Sequence, residues 1–194
     1  MSRVVVINHV TLDGVMQGPG RPDEDTRDGF EHGGWALPSN DDVMGAAMGE
    51  RMAASGGLLF GRRTYEDLLR FWNTQESPFR DALNNAPKYV ASRRLREPLP
   101  WPNSTLLGGD VGDAVSDLKE RAAKDLVIMG SGELIQSLLP SGLIDEYLLM
   151  IHPLVLGSGR RLFPDGISQT LRLVDSKATT KGVLLATYVP ADDR

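Results

Sequence analysis

The architecture of the chain is visible in one run of residues, Asp125-Leu126-Val127-Ile128-Met129-Gly130-Ser131-Gly132-Glu133-Leu134. After the opening aspartate its first half is apolar, which is typical of a strand buried in a parallel sheet. Two glycines and a serine then turn the chain, and residues 133–139 predict a helix that Pro140 ends. Because a buried strand, a short turn and a helix follow one another directly, this run predicts an α/β protein.

Strands and helices alternate on both sides of this run. We predict strands over residues 4–7, 57–61, 88–92, 105–107, 125–129 and 144–151, and helices over residues 40–54, 64–71, 110–124 and 133–139. Two further strands, 170–176 and 183–189, form a hairpin because the short Lys181-Gly182 connection joins them. Residues 1–194 are therefore predicted to form a single α/β domain with a mixed, mostly parallel central sheet and a C-terminal antiparallel hairpin.

A long irregular segment, residues 13–39, follows the first predicted strand. It holds six glycines, three prolines and the acidic cluster Asp23-Glu24-Asp25. Loops of this length are uncommon in compact domains and often cover a binding site. The segment is predicted to be either a functional lid or a plain surface excursion.

Composition excludes several classes of function. The chain has no cysteine, which excludes disulfides, zinc fingers, iron–sulfur clusters and a cysteine nucleophile. Its 21 basic and 26 acidic side chains give a net charge of −5 and no broad basic face, so nucleic acid is not an expected partner. The apolar runs are far shorter than the roughly 20 residues of a membrane span. The apolar stretch near the first residue is also too short for a secretory signal. Since neither a span nor a signal is predicted, we expect a cytoplasmic protein. The three histidines lack metal-binding spacing, so we expect no metal site.

Three loops that follow predicted strands carry groups suited to phosphate. Gly61-Arg62-Arg63-Thr64 opens a helix, Ser92-Arg93 ends a strand, and Gly130-Ser131-Gly132 precedes another helix. Helix starts attract anions, arginine pairs with phosphate through two parallel hydrogen bonds, and glycine lets the backbone approach a ligand. Each loop alone is also consistent with an ordinary solvated turn. Together they fall at the carboxyl ends of strands, where ligands bind in open α/β sheets.

Arginines in two of these loops favour a ligand that has several phosphates, one of them a monoester. NADP(H) has such a set, because a 2′-phosphate accompanies its pyrophosphate. The turn 130–135 is neither a G-x-G-x-x-G fingerprint nor a Walker loop. The residues therefore predict an NADPH site that uses neither of these two common motifs.

These motifs resemble those of the dihydrofolate reductase fold family. Gly61-Arg62-Arg63-Thr64-Tyr65, Ser92-Arg93, Gly130-Ser131-Gly132-Glu133-Leu134 and Leu12-Asp13-Gly14 occur in the order and spacing of that family. Two features look most like the C-terminal reductase domain of the riboflavin-biosynthesis deaminase–reductase and its stand-alone relatives. They are Leu12-Asp13-Gly14, and Gly142-Leu143-Ile144-Asp145-Glu146 followed by Pro153, Gly157 and Gly159. The resemblance covers nearly the whole chain. It implies the dihydrofolate reductase-like three-layer fold, NADPH as cofactor, and a homodimer.

The resemblance also implies roles for individual residues. The adenosine phosphates would be held at the helix start and strand end, by Gly61, Arg62, Arg63, Thr64, Ser92 and Arg93. The pyrophosphate would be held by the turn, by Gly130, Ser131, Gly132, Glu133 and Leu134. Backbone around Val10 and the side chain of Met16 would face the nicotinamide. Folate reductases have a cis peptide between two glycines of this turn, and Ser131 stands here in place of the second.

The substrate side departs from folate reductases. Their pattern Trp-x-Leu-Pro-x-acid matches residues 35–39, but Asn40 follows where the acid belongs, and an amide cannot donate a proton as a carboxylic acid can. Either Asp41 takes the catalytic role or the substrate is not dihydrofolate, which we favour; Asp41 is otherwise a helix cap. Asp13 is the preferred substrate-contacting carboxylate, or else a turn residue. Trp35 either stacks on a flat heterocycle or packs in the core.

The sequence thus predicts an enzyme that transfers a hydride from NADPH to a C=N or C=O bond of a small heterocyclic or ribityl/ribosyl substrate. Asp13, Asp41 or a water held by them would supply the proton. Three other hypotheses stay open: a true dihydrofolate reductase, a non-catalytic module that senses NADP(H), and an interaction protein without a ligand. Arg160 and Arg161 would either grip a substrate phosphate or serve only the chain.

Overall fold

Eight strands form one sheet at the centre of the computed structural model, which describes residues 1–191. They are β1 Val4–Thr11, β2 Gly57–Gly61, β3 Lys88–Ala91, β4 Ser104–Leu107, β5 Leu126–Met129, β6 Glu146–His152, β7 Leu171–Ala178 and β8 Leu184–Pro190. Their order in space is β4-β3-β2-β5-β1-β6-β8-β7. Neighbours from β4 to β6 run parallel, and β8 is antiparallel to both β6 and β7. This confirms the predicted mixed, mostly parallel sheet with its antiparallel hairpin.

Within the same residues, five helices cover the sheet: α1 Asp42–Ala54, α2 Arg62–Trp72, α3 Pro78–Asn85, α4 Val111–Arg121 and α5 Gly132–Leu138. Short 3-10 turns lie at Arg27–Gly29, Leu37–Ser39 and Leu139–Ser141. Four of the helices correspond to predicted ones, and α3 was missing from the prediction. None of the helices described over residues 1–191 is both long and apolar enough to cross a membrane.

The helix that the prediction missed, α3, depends on a contact from a neighbouring strand. Ser77 caps its start and Pro78 occupies its first turn, which is a local signal that periodicity alone does not detect. At its other end, the buried ammonium group of Lys88 in β3 donates hydrogen bonds at 2.7, 3.2 and 2.7 Å to the carbonyls of Leu83, Asn84 and Ala86. A helix this short is marginal by itself, so the contact from β3 stabilises it.

Two apolar layers pack against the two faces of the sheet. On one face, Val4 and Val6 pack with side chains of α4 and α5. On the other face, Val5 and Ile7 pack with side chains of α1, α2 and α3. Because successive side chains of a strand point to opposite faces, two buried faces explain why β1 begins without polar–apolar alternation. A third cluster holds the irregular segment in place and consists of Val15, Phe30, Trp35 and Ala36.

The parallel strands bring the predicted phosphate loops to one edge. β3, β2, β5 and β1 are neighbours, so their carboxyl ends meet, and we call this the carboxyl edge of the sheet. β1 runs on to Thr11, past its predicted end at Ile7, because its pairing with β6 continues as far as His152. The loops that follow β2, β3 and β5 therefore leave the sheet at the same edge, as the sequence predicts.

Candidate functional site

A cleft of about 1090 Å³ opens at the carboxyl edge. Its walls come from β1, from the start of α2, from the turn between β5 and α5, and from the irregular segment after β1. The residues predicted to bind the cofactor that line it are Met16, Arg63, Thr64, Gly130, Ser131, Gly132 and Glu133. The predicted residues outside its lining are Val10, Gly61, Arg62, Ser92, Arg93 and Leu134.

Two side-chain hydrogen bonds join the loop after β2 to the turn after β5. The backbone N–H of Gly61 donates to Ser131 Oγ at 3.0 Å, and the N–H of Ser131 donates to Thr64 Oγ1 at 3.1 Å. Gly130 and Ser131 both have left-handed backbone angles, with φ of 60° and 58°. Within residues 1–191 the cis peptide is Glu97–Pro98, and the Gly130–Ser131 bond is trans. Ser131 thus holds the two predicted phosphate loops at a fixed separation.

The structure separates the two arginines at the start of α2. Arg62 forms an ion pair with Glu66 one turn further along the helix, with Nη1 and Oε2 2.6 Å apart. Arg63 lines the cleft, is exposed, and makes no ion pair with residues 1–191. The first turn of α2 also has no side-chain cap. Arg63 is therefore the guanidinium of this pair that is available to an anion in the cleft.

The predicted Ser92-Arg93 site leaves the sheet at the carboxyl edge but does not reach the cleft lining. Ser92 Oγ accepts the backbone N–H groups of Arg94 at 3.1 Å and Leu95 at 3.0 Å. These bonds make Ser92 a turn residue. Its role with the adenosine phosphates stays a prediction.

Ion pairs tie the irregular segment across the mouth of the cleft. Arg21 donates to both carboxylate oxygens of Asp67 in α2, at 2.7 and 2.8 Å. Arg27 pairs with Glu133 at 2.8 Å, and Arg160 lies 3.6 Å from the same carboxylate. Two guanidinium groups thus compensate the charge of Glu133 beside the glycine turn. These contacts hold the segment against the cleft, and its role as a functional lid stays a prediction.

The basic turn after β6 serves the chain while lining the cleft. Arg160 pairs with Asp28 at 2.8 Å, and its backbone N–H donates to Gln17 Oε1 at 3.0 Å. Arg161 Nε donates to the backbone carbonyl of Asp13 at 3.0 Å. Both arginines therefore hold the irregular segment, which is the second of the two roles considered for them.

Asp13 lies in a turn rather than in the lining of the cleft. Its carboxylate accepts the hydroxyl of Thr11 at 2.5 Å and the backbone N–H groups of Gly157 at 2.8 Å and Leu156 at 3.3 Å. These bonds, above all the one from Thr11, lower the pKa of Asp13 to about 2. The turn alternative therefore describes its position, and its predicted catalytic and substrate roles find no support in the cleft.

Asp41 is the N-cap of α1, which confirms the helix-cap alternative. Its carboxylate accepts the backbone N–H of Met44 at 3.0 Å and, from the chain before β8, the hydroxyl of Thr180 at 2.7 Å. The bond from Met44 is the main reason that the pKa of Asp41 is lowered to about 2. A carboxylate held ionised in this way is a poor proton donor near neutral pH.

Trp35 is buried and packs with Val15 and Phe30, and its Nε1 donates to the carbonyl of Gln17 at 2.7 Å. It has the packing role that the sequence left as the alternative to stacking on substrate. The edge of its ring also meets His152, with ring centroids 5.1 Å apart.

A histidine pair that no sequence motif indicates lies beside Trp35, with His152 fully buried and His9 partly buried. His9 Nδ1 lies 2.9 Å from His152 Nε2, although the two residues are 143 positions apart in the chain. Burial, and then the neighbouring His152, lower the pKa of His9 to about 3. Burial lowers the pKa of His152 to about 4. Both rings are therefore neutral at pH 7, and no local pattern of residues could have predicted their contact.

The histidine pair makes stability fall in mild acid. Between about pH 4 and 6.5 the two histidines bind protons in the unfolded chain but not in the folded chain. Their contribution to the free energy of unfolding is therefore fully present above pH 6.5 and decreases as the pH falls through this range. We expect the free energy of unfolding to drop by about 2–4 kcal/mol from pH 7 to pH 5. Urea denaturation at the two pH values measures this drop.

Replacing both histidines tests the origin of that drop. The double variant His9→Gln, His152→Gln should lose most of the pH dependence, because the groups that titrate are gone. His32→Gln, at an exposed position, is the matched control and should keep it. An unchanged drop in the double variant would show that other groups are responsible.

Comparisons with known proteins identify the family and the fold of the chain. A model of the RibD C-terminal domain matches residues 3–185 of the chain. The uncharacterised protein YyaP of Bacillus subtilis (strain 168) is 30% identical over 138 residues, which are 68% of this chain and 72% of YyaP.

Solved structures share the fold. A Shewanella sp. PV-4 protein described provisionally as a riboflavin biosynthesis protein has a TM-score of 0.71 at 23% identity, over 97% of this chain and 99% of that one. Dihydrofolate reductase of Enterococcus faecalis, complexed with NADP(H), has a TM-score of 0.62 at 16% identity, over 98% of this chain and 97% of that one. At these identities the likeness concerns the fold, and it confirms the dihydrofolate reductase-like architecture predicted from the motifs.

Proposed function

Because this chain belongs to the RibD C-terminal domain family, we propose that it is an NADPH-dependent reductase. Its substrate is a small heterocyclic or ribosyl compound with a C=N or C=O bond that accepts the hydride. The observation that carries the proposal is the cleft at the carboxyl edge, which both Arg63 and the glycine turn line. Hydrogen bonds of Ser131 join this turn to the start of α2. NADPH, when bound, supplies the hydride, and the chain supplies binding and orientation.

The residues of the cleft fit the parts of NADPH. Arg63 offers a guanidinium without an internal partner among residues 1–191, which suits the 2′-phosphate. The glycine turn presents backbone at close range, which suits the pyrophosphate. Met16 forms an apolar wall against Gly132, where a nicotinamide ring would lie. Arg62 and Ser92 are held by the chain itself, so we assign the main phosphate contact to Arg63.

We propose that water supplies the proton. The hydrogen bonds around Asp13 and Asp41 favour their ionised forms, and neither residue lines the cleft. The chain would then bind and orient the two reactants, and the ion-paired segment over the cleft would limit access of bulk solvent to them.

Turnover measurements distinguish this function from its alternatives. NADPH oxidation is followed by absorbance with a panel of acceptors that includes the phosphorylated ribosylamino-pyrimidine and dihydrofolate. Oxidation with the pyrimidine supports the proposal, and oxidation with dihydrofolate alone would favour a true dihydrofolate reductase. Tight NADPH binding without oxidation across the panel would favour a sensing module. No heat on titration with NADPH would contradict every nicotinamide-based function.

We also propose that the protein is a homodimer joined through β7, an edge strand. β7 is exposed along most of its length, and Leu173 and Val174 are 49% and 53% exposed. Unpaired strand edges with apolar side chains favour association with a second strand. Val174→Asp should weaken dimerisation by about tenfold or more, because a carboxylate would be buried at the interface. Light scattering over a concentration series measures this effect.

Leu12→Asp is the matched control for the interface variant. Leu12 is 64% exposed but lies in the turn after β1, and the strands β6 and β8 lie between β1 and β7. A monomeric wild-type protein, or equal effects of the two substitutions, would contradict the proposed interface.

A further inference from the structure

Asn8 is a buried polar side chain in the wall of the cleft. It lies in β1 and is 3% exposed. The parallel register pairs Ile7 with Met129, so Asn8 stands level with Gly130, where β5 gives way to the glycine turn. Its side chain lines the cleft, on the face of β1 opposite to His9.

The carboxamide of Asn8 is poorly satisfied by the chain. Among residues 1–191, its side chain makes one hydrogen bond, from Nδ2 to the thioether sulfur of Met16 at 3.5 Å. A thioether is a weak acceptor, whereas a carboxamide offers two N–H donors and a strong acceptor oxygen. No hydrogen bond from these residues reaches the Asn8 oxygen, and Asn8 is one of the residues that line the cleft. A buried amide in this condition has free hydrogen-bonding capacity for a ligand.

The position of Asn8 defines which part of a dinucleotide it meets. Arg63 follows β2, and β5 lies between β2 and β1, so Asn8 is two strands, or about 10 Å, further along the carboxyl edge. A Cβ added to Gly132 would lie 2.7 Å from Met16 Sδ, so the Met16 side chain bridges the glycine turn and Asn8. With phosphates at Arg63 and the turn, the group that reaches Asn8 and Met16 is the end of the dinucleotide remote from adenosine.

We propose that the Asn8 side chain recognises the carboxamide of the nicotinamide ring and is a specificity-determining residue for the pyridine ring of the cofactor. This inference rests on the proposed function. Two carboxamides pair through complementary N–H and C=O groups, and the new bonds replace the weak contact with sulfur. The ring itself would lie on the apolar flank of Met16.

The test compares three ligands on wild-type protein and on Asn8→Leu, which has nearly the same shape. The ligands are NADP, its 3-acetylpyridine analogue, in which a methyl ketone replaces the amide, and adenosine 2′,5′-diphosphate, which lacks the pyridine. Wild-type protein should bind NADP about fivefold to tenfold more tightly than the analogue, as expected for one unmade hydrogen bond. Asn8→Leu should bind NADP and the analogue equally, and should bind the adenosine fragment as wild-type protein does.

Further variants separate the inference from folding and from the function on which it rests. Asn8→Ser introduces a smaller polar side chain that fits without strain. If thermal melting shows that Asn8→Leu is unstable, the same three ligands are compared on Asn8→Ser instead. Arg63→Ala is the complementary variant: it should weaken NADP and the adenosine fragment alike, and keep the preference for NADP over the analogue.

Three results would overturn the role of Asn8. The first is that Asn8→Leu still prefers NADP over the analogue. The second is that Asn8→Leu loses equal affinity for NADP and for the adenosine fragment. The third is that Asn8→Leu keeps its NADP affinity but binds an amide-bearing substrate more weakly, which would assign Asn8 to the substrate. In each of these cases wild-type protein still binds NADP, so the proposed function survives. Failure of wild-type protein to bind either NADP or the fragment would instead remove the proposed function together with this inference.

Discussion

Replacing Arg63 by alanine weakens NADPH binding by roughly 10- to 100-fold and leaves NADH binding within about twofold, as expected from the loss of one charge-assisted pair with phosphate. The reason is that Arg63 lines the cleft without an ion-pair partner among residues 1–191, so its guanidinium is free for the 2′-phosphate that NADH lacks. Calorimetric titration of both cofactors against both proteins measures the difference.

Arg62→Ala is the control for this prediction. Arg62 is the sequence neighbour of Arg63, carries the same charge and belongs to the same helix, but its guanidinium pairs with Glu66 and lies outside the cleft lining. Its replacement should change the NADPH affinity much less than the replacement of Arg63. Equal losses for NADPH and NADH in Arg63→Ala would refute a 2′-phosphate contact, and equal effects of the two substitutions would show only a general charge effect.

Gly159→Ala lowers the free energy of unfolding by about 3 kcal/mol, the sum of a strained backbone and an overpacked core. Gly159 has a φ of +116°, which side chains rarely allow. A Cβ there would lie 2.7 Å from both Phe30 Cε2 and Val15 Cγ1, two buried atoms of the cluster that holds the irregular segment. Because that segment forms one wall of the cleft, the variant should also bind NADPH more weakly.

Gly157→Ala is the matched control two residues earlier in the same turn. Its φ is +75°, but nothing lies within 4 Å of an added Cβ, so only the backbone strain applies and the cost should be about 1 kcal/mol. Urea denaturation of both variants gives the comparison. If the two substitutions cost the same, contact with Phe30 and Val15 has no part in the stability of the turn.

Short-range patterns were sufficient to predict the architecture. Apolar runs such as Val127-Ile128, the turn at Gly130 and the helix after it are features of neighbouring residues, and the preferences that produce them act between neighbours. The same is true of the alternation of strands and helices, from which the parallel sheet and its carboxyl edge follow. The motifs around Arg63 and Gly130 were likewise enough to indicate the fold family, and Leu12-Asp13-Gly14 with residues 142–146 indicated the riboflavin reductase domain within it.

Contacts between distant parts of the chain decided the roles of individual side chains. Asp41 meets Thr180 across 139 positions, and His9 meets His152 across 143. Which of Arg62 and Arg63 faces the cleft depends on how α2 is rotated against the sheet, and the free carboxamide of Asn8 depends on where Met16 lies. These relations are set by strand register and by packing in three dimensions, which local preferences along the chain do not encode.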